Sequence, residues 1–478
     1  MYDLAMLRYS LACITVAVLA TSSASTPRPH PPTSADPYKL PGYPVFIKQC
    51  APCHGEHGDG LGQGARFLTP APRDFRRTQL KFFSTDNGVA SGKDIYETIA
   101  AGIGGTSMLP FAQLGEATCW SLVDVVAAFR ERGAREALEQ TGLTGTELET
   151  AVAGKCNPSP ASDLPPEPPA TVDTASRGLI LWREAGCVTC HGEAARGGEV
   201  QVAQRGGSTM SVRVPDLTTG VLRQVPTPFN LANRIRRGIG GTPMPATNLG
   251  GDDLWSLVHY VKTLIPEGAQ AIADPVWGRL PAARLTGELP TSPDDPRFAE
   301  VPITWLPLAP FNAFDRSVSM IGVQPLASST HIVMRVVVPD ATRDVPSKTS
   351  DAAPDGIALR VTPVSKPPVL PVAGQMPVLD RAVTYTGAMP RVEDPVFIAS
   401  GFENPEAVCK TVAPAARTGT STYVQGTWRH VIAVRTEMSG PPNASQPLSV
   451  SLAVFNGSAK RGPLPTAFSA WRELVVSP

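Results

Sequence analysis

Two short segments of this chain place two cysteines, a histidine and a glycine at one repeated spacing. Thiols at the C-x-x-C spacing bond covalently to a haem, while the imidazole that follows them ligates its iron. Zinc, the other centre that paired thiols hold, needs a closed set of four ligands, whereas here each pair is followed at once by His and Gly. The spacing therefore predicts two covalent c-type haems. The predicted attachment residues are Cys50, Cys53 and His54 in one copy and Cys187, Cys190 and His191 in the other.

A glycine-rich loop that ends on methionine follows each cysteine pair. The loops read Gly102-Ile-Gly-Gly-Thr-Ser-Met108 and Gly238-Ile-Gly-Gly-Thr-Pro-Met244, and each methionine stands 54 or 53 positions after the histidine of its unit. A thioether repeated in this context predicts the sixth iron ligand, and an ordinary core methionine is the alternative. The predicted iron ligands are His54 and Met108 in the first unit and His191 and Met244 in the second.

Helical patterns flank both loops. The segment Trp120-Ser-Leu-Val123 recurs as Trp255-Ser-Leu-Val258, and each opens an apolar helical pattern. A Gly-x-x-x-aromatic spacing precedes both cysteine pairs, at Gly42-x-x-x-Phe46 and Gly178-x-x-x-Trp182. Each unit therefore contains a helix, the cysteine pair, a long loop, the methionine loop and a helix.

This order of elements resembles class I cytochrome c, as a tandem dihaem pair over about residues 38–270. The resemblance implies two all-α domains, at residues 41–135 and 173–268. It also implies iron held between histidine and methionine, which suits electron transfer better than substrate binding. We therefore predict no catalytic residue.

The second ring nitrogen of each motif histidine needs a hydrogen-bond acceptor. A backbone carbonyl in the Pro70–Pro72 stretch and one near Pro215 are the predicted partners. Arg73 follows the first stretch, where it either reaches a haem propionate or remains a solvated loop charge.

The N-terminus has the pattern of a secretory signal peptide at residues 1–25. Arg8 precedes a short apolar run that contains Cys13, and small residues follow it. Because c-type haem is attached outside the cytoplasmic membrane, we predict a periplasmic protein whose mature chain has no transmembrane segment. Pro-rich sequence predicts a tether at residues 26–40, and a helical stretch with a linker at residues 136–172.

Composition excludes some partners and leaves some cysteines unassigned. Lys plus Arg and Asp plus Glu number 42 each, so no basic field favours nucleic acid. Of the eight cysteines, four belong to the haem motifs and Cys13 to the leader. Cys119 and Cys156 are either a disulfide or free buried thiols, and Cys409 is unassigned.

After about residue 270 the chain changes to short β-branched runs set off by Pro, Gly and Asp, which predicts an all-β sandwich at residues 275–478. This part resembles the haem-binding domain of the ethylbenzene dehydrogenase gamma subunit and its relatives of the type II dimethyl sulfoxide reductase group. The matching segments are Pro339-Asp-Ala-Thr-Arg-Asp344, Asp355-Gly-Ile-Ala-Leu359, Gly426-Thr-Trp428 with Arg435, and Phe455-Asn-Gly-Ser458 with Ser469-Ala-Trp471.

The resemblance implies a b-type haem between a Met before a loop glycine and a Lys shortly before the final Trp. Here Ser400 precedes Gly401, and no lysine lies close before Trp471. Met389 and Lys460 are the nearest substitutes, with ordinary loop roles as the alternative. We therefore predict a domain that keeps the fold and a docking surface but holds no third haem.

Together the resemblances imply a non-catalytic electron-transfer subunit or partner of a periplasmic oxidoreductase, which the β-domain resemblance implies to be molybdopterin-dependent. Other cytochromes are further predicted partners. Two alternatives remain open. One is a haem enzyme acting on a small sulfur or nitrogen compound or on peroxide, which needs an open axial position. The other is a free-standing dihaem shuttle.

Overall fold

The computed structural model shows two helical units followed by a β domain. The described residues are 35–65, 68–161, 164–203, 209–265, 279–310, 318, 320–340, 356–363, 382–386, 417–435, 448–456, 467–469 and 472–476. The predicted signal peptide lies outside them, as do Cys409, Met389, Lys460 and Trp471. Among the described residues, no helix has both the length and the apolar character needed to cross a bilayer.

The first unit and the stretch after it contain helices α1 (Tyr43–Gln49), α2 (Ala51–His54), α3 (Gly92–Ala101), α4 (Glu116–Glu139) and α5 (Gly145–Cys156). α3 begins at a capping box, in which the side chains of Ser91 and Asp94 accept from each other's backbone N–H groups. α4 buries Leu122, Val126 and Phe129 at helical spacing. These side chains join α1 and α3 in one apolar core.

The stretch predicted at residues 136–172 begins inside α4. Leu138, near the end of α4, packs with Leu148 and Val152 of α5 in a small separate cluster. Cys156 packs against this cluster, whereas Cys119 lies in the main core of the first unit. Both thiols are free, so the disulfide alternative is not realised.

The second unit repeats the helix order and adds a pair of strands. Its elements are α6 (Val172–Glu184), α7 (Val188–His191), β1 (Gly198–Ala203), β2 (Thr209–Val214), α8 (Pro228–Arg237) and α9 (Gly251–Leu264). β1 and β2 pair antiparallel, with Val200 opposite Val212. The prediction of an all-α second domain is therefore wrong. Valine at alternate positions of both segments favours strands, and the all-α interpretation left this signal out.

The repeated Gly-x-x-x-aromatic spacing marks a helix crossing in both units. A Cβ on Gly42 would lie 2.2 Å from Ser121 O of α4, and a Cβ on Gly178 would lie 2.0 Å from Ser256 O of α9. Side chains do not approach a carbonyl oxygen that closely, so both crossings require glycine. The aromatic residue one helical turn later is buried in each unit. The N-terminal and C-terminal helices of the two units thus cross in the same way.

The Pro-rich stretch between the units is attached to both of them. Asn87 Nδ2 donates to Asn157 O at 2.9 Å, and the Asp86 N–H donates to Ser159 Oγ at 3.0 Å. Farther on, Trp255 Nε1 of the second unit donates to the carbonyl of Pro165 at 3.1 Å. The described part of the linker therefore lies along both units instead of extending freely between them.

The β domain contains strands β3 (Arg279–Arg284), β4 (Thr304–Pro310), β5 (Met320–Ala327), β6 (His331–Pro339), β7 (Gly356–Pro363), β8 (Ala382–Thr386), β9 (Arg417–Val424), β10 (Thr427–Arg435), β11 (Leu448–Phe455), β12 (Ala467–Ser469) and β13 (Arg472–Val476). One layer has the order β8-β7-β11, with β12 and β13 beside different ends of β11. The other layer has the order β9-β10-β6-β5.

Strands β3 and β4 belong to both layers. β4 pairs with β5 over residues 304–307 and with β12 over residues 308–310. β3 pairs with β13 over residues 279–282 and with β5 over residues 283–284. The space between the layers is filled by apolar side chains of both, among them Ile332 and Met334 of β6 and Val450 of β11. The described strands thus have the two-layer arrangement of a sandwich.

The β domain contacts the first unit beside its methionine loop. Ala309 of β4 and Phe468 of β12 are buried in the apolar core of the first unit. Ser107, the residue before Met108, donates its hydroxyl hydrogen to the carbonyl of Pro310. The β domain is therefore part of the wall around this loop.

Candidate haem-binding sites

The first cysteine pair lies on one helical turn. Cys50 precedes α2, and the His54 N–H donates to Cys50 O at 2.9 Å, so the thiols and the imidazole are presented by one rigid segment. The turn ends at Gly55, whose φ of 76° a residue with a side chain adopts only under strain. The chain then folds back on α2, where a Cβ on Gly62 would lie 2.3 Å from Pro52 O.

His54 is held by one hydrogen bond and one ring. Its Nδ1 lies 3.0 Å from Arg73 O, and its ring stacks on Phe75 with centroids 4.5 Å apart. Burial lowers the pKa of His54 to about 4, so the imidazole is neutral. Because a carbonyl only accepts, Nδ1 carries the proton and Nε2 keeps a lone pair for a metal. The acceptor lies one residue beyond the predicted Pro70–Pro72 stretch.

A cavity of about 130 Å³ brings together the four residues predicted for the first site. Burial raises the pKa of both thiols to about 12. The remaining wall is mostly apolar, with two cationic side chains at one part of it. Its lining includes Cys50, Cys53, His54, Met108, Ile95, Ile99, Phe82, Arg73 and Lys81. A covalent haem needs two thiols for its attachment, and its iron needs ligands such as an imidazole with a free Nε2 and a thioether. These residues therefore fit that group.

The two methionine loops have the same hydrogen bonds. The Ile103 N–H donates to Met108 O at 2.9 Å, and the Ile239 N–H donates to Met244 O at 3.2 Å. In each loop a threonine hydroxyl donates to that isoleucine's carbonyl and accepts from the methionine N–H. A Cβ on Gly102 would lie 2.6 Å from Met108 O, and the matching distance in the second loop is 2.5 Å. The sequence repeat is therefore a repeat of backbone structure.

The second cysteine pair has the same local geometry. The His191 N–H donates to Cys187 O at 3.0 Å, and burial lowers the pKa of His191. His191 Nδ1 is buried and has no hydrogen-bond partner among the described residues, so the predicted carbonyl near Pro215 does not reach it. The ring of Trp182 lies 5.4 Å away. Met244 is half-buried on its loop. The residue types of the second unit, two thiols, an imidazole and a thioether, are those of the first.

Phe75 was not predicted from the sequence. The Phe75 N–H donates to Gly58 O at 2.8 Å, and the equivalent bond in the second unit runs from Leu217 to Ala195 at 2.9 Å. The backbone position is thus repeated while the side chain is not. Because prediction relied on repeated residue types, it offered no signal for the stacking partner of His54.

The two units contact each other through residues 82–86 and α8. Arg234 donates to the carbonyl of Phe83, and Arg237 Nη1 donates to Thr85 O at 2.7 Å. Arg237 Nη2 also lies 2.8 Å from Asp86 Oδ1. These bonds hold α8 against the segment that follows Phe82, a residue of the first cavity's wall.

Comparison with known proteins matches parts of this chain. The family described as cytochrome C oxidase, cbb3-type, subunit III, matches residues 173–261. A chain of the Kuenenia stuttgartiensis reducing HAO-like protein complex is 31% identical, over 47% of this chain and 96% of that one, with a TM-score of 0.38. The chain contains a cytochrome c domain. Its cytochrome c domain at residues 173–261 implies a covalent haem c, and the match extends over the second unit only.

Similarities of the fold alone are weaker. A carbohydrate binding module of family 9 from Caldicellulosiruptor kristjanssonii, in complex with glucose, is 8% identical over 42% of this chain and 95% of that chain, with a TM-score of 0.28. At this identity and TM-score the similarity says nothing about what this chain binds. Among curated proteins, none matches the chain.

Proposed function

We propose that this cytochrome is a periplasmic electron-transfer protein with two covalent haems. Cys50 and Cys53 would attach one haem, and Cys187 and Cys190 the other. A haem held in this way supplies one-electron chemistry at its iron. The observation that carries the proposal is the cavity that joins Cys50, Cys53, His54 and Met108 within a unit built like the matched cytochrome c domain.

The two units favour relay over turnover. His54 and Met108 in the first unit, and His191 and Met244 in the second, would occupy both axial positions of each iron, and substrate chemistry needs one of them open. The first histidine lines the cavity, and its ring is fixed by Arg73 O and Phe75, which leaves Nε2 for the iron. Both sites are therefore suited to taking up and releasing an electron.

A redox partner in the periplasm is the second part of the proposal. The predicted signal peptide at residues 1–25 supports the compartment. The relative that is 31% identical belongs to a protein complex, which supports a partner protein for this chain. An oxidoreductase, of the molybdopterin-dependent class that the β-domain resemblance implies, or another cytochrome would fill this role. The β domain would provide part of the docking surface.

The experiment is a haem count on three forms of the full chain. A pyridine haemochrome assay and intact-protein mass should give two covalent haems for the native protein. Cys50→Ala with Cys53→Ala should leave one haem, and so should Cys187→Ala with Cys190→Ala. A native count of one that Cys50→Ala with Cys53→Ala leaves unchanged would remove the first haem from the proposal. An additional extractable haem would assign a cofactor to the β domain.

Function is tested separately from haem content. The native protein should exchange electrons with a partner that co-purifies from the source periplasm. It should not turn over peroxide or small sulfur and nitrogen compounds. Turnover by the isolated protein would favour the haem enzyme instead, and rapid exchange without any stable partner would favour the free-standing shuttle.

A further inference from the structure

The methionine loop of each unit rests on a short backbone segment of the other unit. A Cβ on Gly104 would lie 2.0 Å from Leu222 O, and a Cβ on Gly240 would lie 2.5 Å from Leu80 O. Both distances are too short for a side chain, so each loop needs glycine to make the contact. Gly104 and Gly240 are the third residues of the two repeated loops, so each unit makes the same kind of contact with the other. The loops that carry the predicted methionine ligands are thus joined to the opposite unit.

Three cationic side chains gather at this contact. Arg223 Nη1 donates to Gly104 O at 3.1 Å across the interface. Arg73 of the first unit lies in turn beside the loop of the second unit, where a Cβ on Gly241 would lie 3.0 Å from Arg73 Nη1. Burial lowers the pKa of Lys81 to about 8, and the nearby charges of Arg73 and Arg223 act in the same direction. The first unit contributes two of these cations and the second unit contributes one.

Within the part of the chain that the structure describes, these cations have no counter-charge. Over the described ranges, none of the three forms an ion pair with a carboxylate. Arg237 at the same interface, whose side chain is 8% exposed, does pair with Asp86. All three side chains are half-buried. Taking a cation even partly out of water without an anion costs free energy, so an unpaired cluster of three needs an explanation.

The cavity of the first unit offers the missing anion. Arg73 and Lys81 line the same cavity as His54 and Met108. A haem carries two propionate carboxylates, and guanidinium and ammonium groups are the usual partners of buried carboxylates. The cations therefore lie where the carboxylates of a haem in this cavity can meet them.

Given the proposed first haem, we infer that Arg73 and Lys81 hold its propionates and that Arg223 of the second unit completes their positive field. Ferric haem has one more positive charge than ferrous haem, so a nearby cation favours the ferrous state. The second unit thereby raises the reduction potential of the haem in the first unit. The two units act as one redox assembly and not as two independent carriers.

The test is Arg223→Gln in the full-length holoprotein, followed by spectroelectrochemical titration. The component of the first haem is assigned as the one that Met108→Ala alters. Loss of the Arg223 charge should shift the redox equilibrium of the first haem about tenfold toward the ferric state. For one electron this corresponds to a reduction potential lower by about 59 mV. Arg223→Lys keeps the charge and should leave the potential close to native.

Arg177→Gln is the matched control, because Arg177 is an exposed arginine of the second unit that pairs with Asp253. It should not move the first potential. If Arg223→Gln does not fold, Lys81→Gln tests the same field and should give a shift in the same direction. An unchanged first potential in a folded variant that binds two haems overturns the inference. A native count of one haem would instead refute the proposed function.

Discussion

At the scale of single residues, equivalent histidines have different surroundings. His54 donates from Nδ1 to Arg73 O and stacks on Phe75, whereas His191 Nδ1 has no hydrogen-bond partner in the described part of the chain. A hydrogen bond to the second ring nitrogen makes an imidazole a stronger donor to metal. The two proposed haems should therefore differ in potential even with the same ligand types.

The methionine ligands give a prediction at this scale. Met108→Ala and Met244→Ala should each remove one sulfur-to-iron charge-transfer band of the ferric protein and lower one reduction potential, because a thioether favours ferrous iron. Optical spectra with a redox titration would measure both. Met320→Ala on β5 is the control and should change neither. If both bands persist in the double variant, the sixth ligands are other residues.

At the scale of elements, the helix crossings give a second prediction. Gly42→Ala and Gly178→Ala place a Cβ 2.2 Å and 2.0 Å from carbonyl oxygens of the crossing helices. The forced separation should destabilise each unit by about 1–3 kcal/mol. Thermal unfolding followed at the haem bands would report the loss.

Gly154→Ala in α5 is the control for the crossings, since a Cβ there meets nothing within 4 Å. Alanine favours a helix over glycine by about 1 kcal/mol, so this variant should keep or raise the melting temperature. Equal destabilisation by all three substitutions would mean that the close helix contacts are not the cause.

The sequence predicts those parts of the fold and of the haem sites whose residues lie close together along the chain. The cysteine pairs, the methionine loops and their helices follow from residues close in sequence. The carbonyl that holds His54 belongs to Arg73, one residue beyond the predicted stretch. The pairing of Val200 with Val212 was missed because a helical order was assumed for the whole unit. The contact of Arg223 with Gly104 joins residues far apart in the chain, and no periodicity or motif signals such a contact.

At the scale of the whole molecule, the β domain supports the first unit. Phe468 of β12 is 2% exposed and lies in the first unit's core. Phe298, 1% exposed, lies in a cluster of the β domain itself. Replacing Phe468 or Phe298 by alanine therefore tests the core of the first unit or that of the β domain, respectively.

Phe468→Ala should cost about 3–5 kcal/mol, as buried aromatic truncations do, and the loss should fall on the first unit. The Met108-dependent band should then disappear at a lower temperature than in the native protein. Phe298→Ala should lower the melting temperature of the β-strand circular dichroism while that band persists. Identical losses of the band in both variants would contradict a special role for Phe468.

The burial of Phe468 also sets the order in which the cores can be completed. Ala309 and Phe468 stand far beyond α4 in the sequence, yet both lie in the core of the first unit. A core that includes such distant residues closes only after the chain between them has been brought together. The first unit, although its own helices come first in the chain, is thus complete only when β4 and β12 have docked on it.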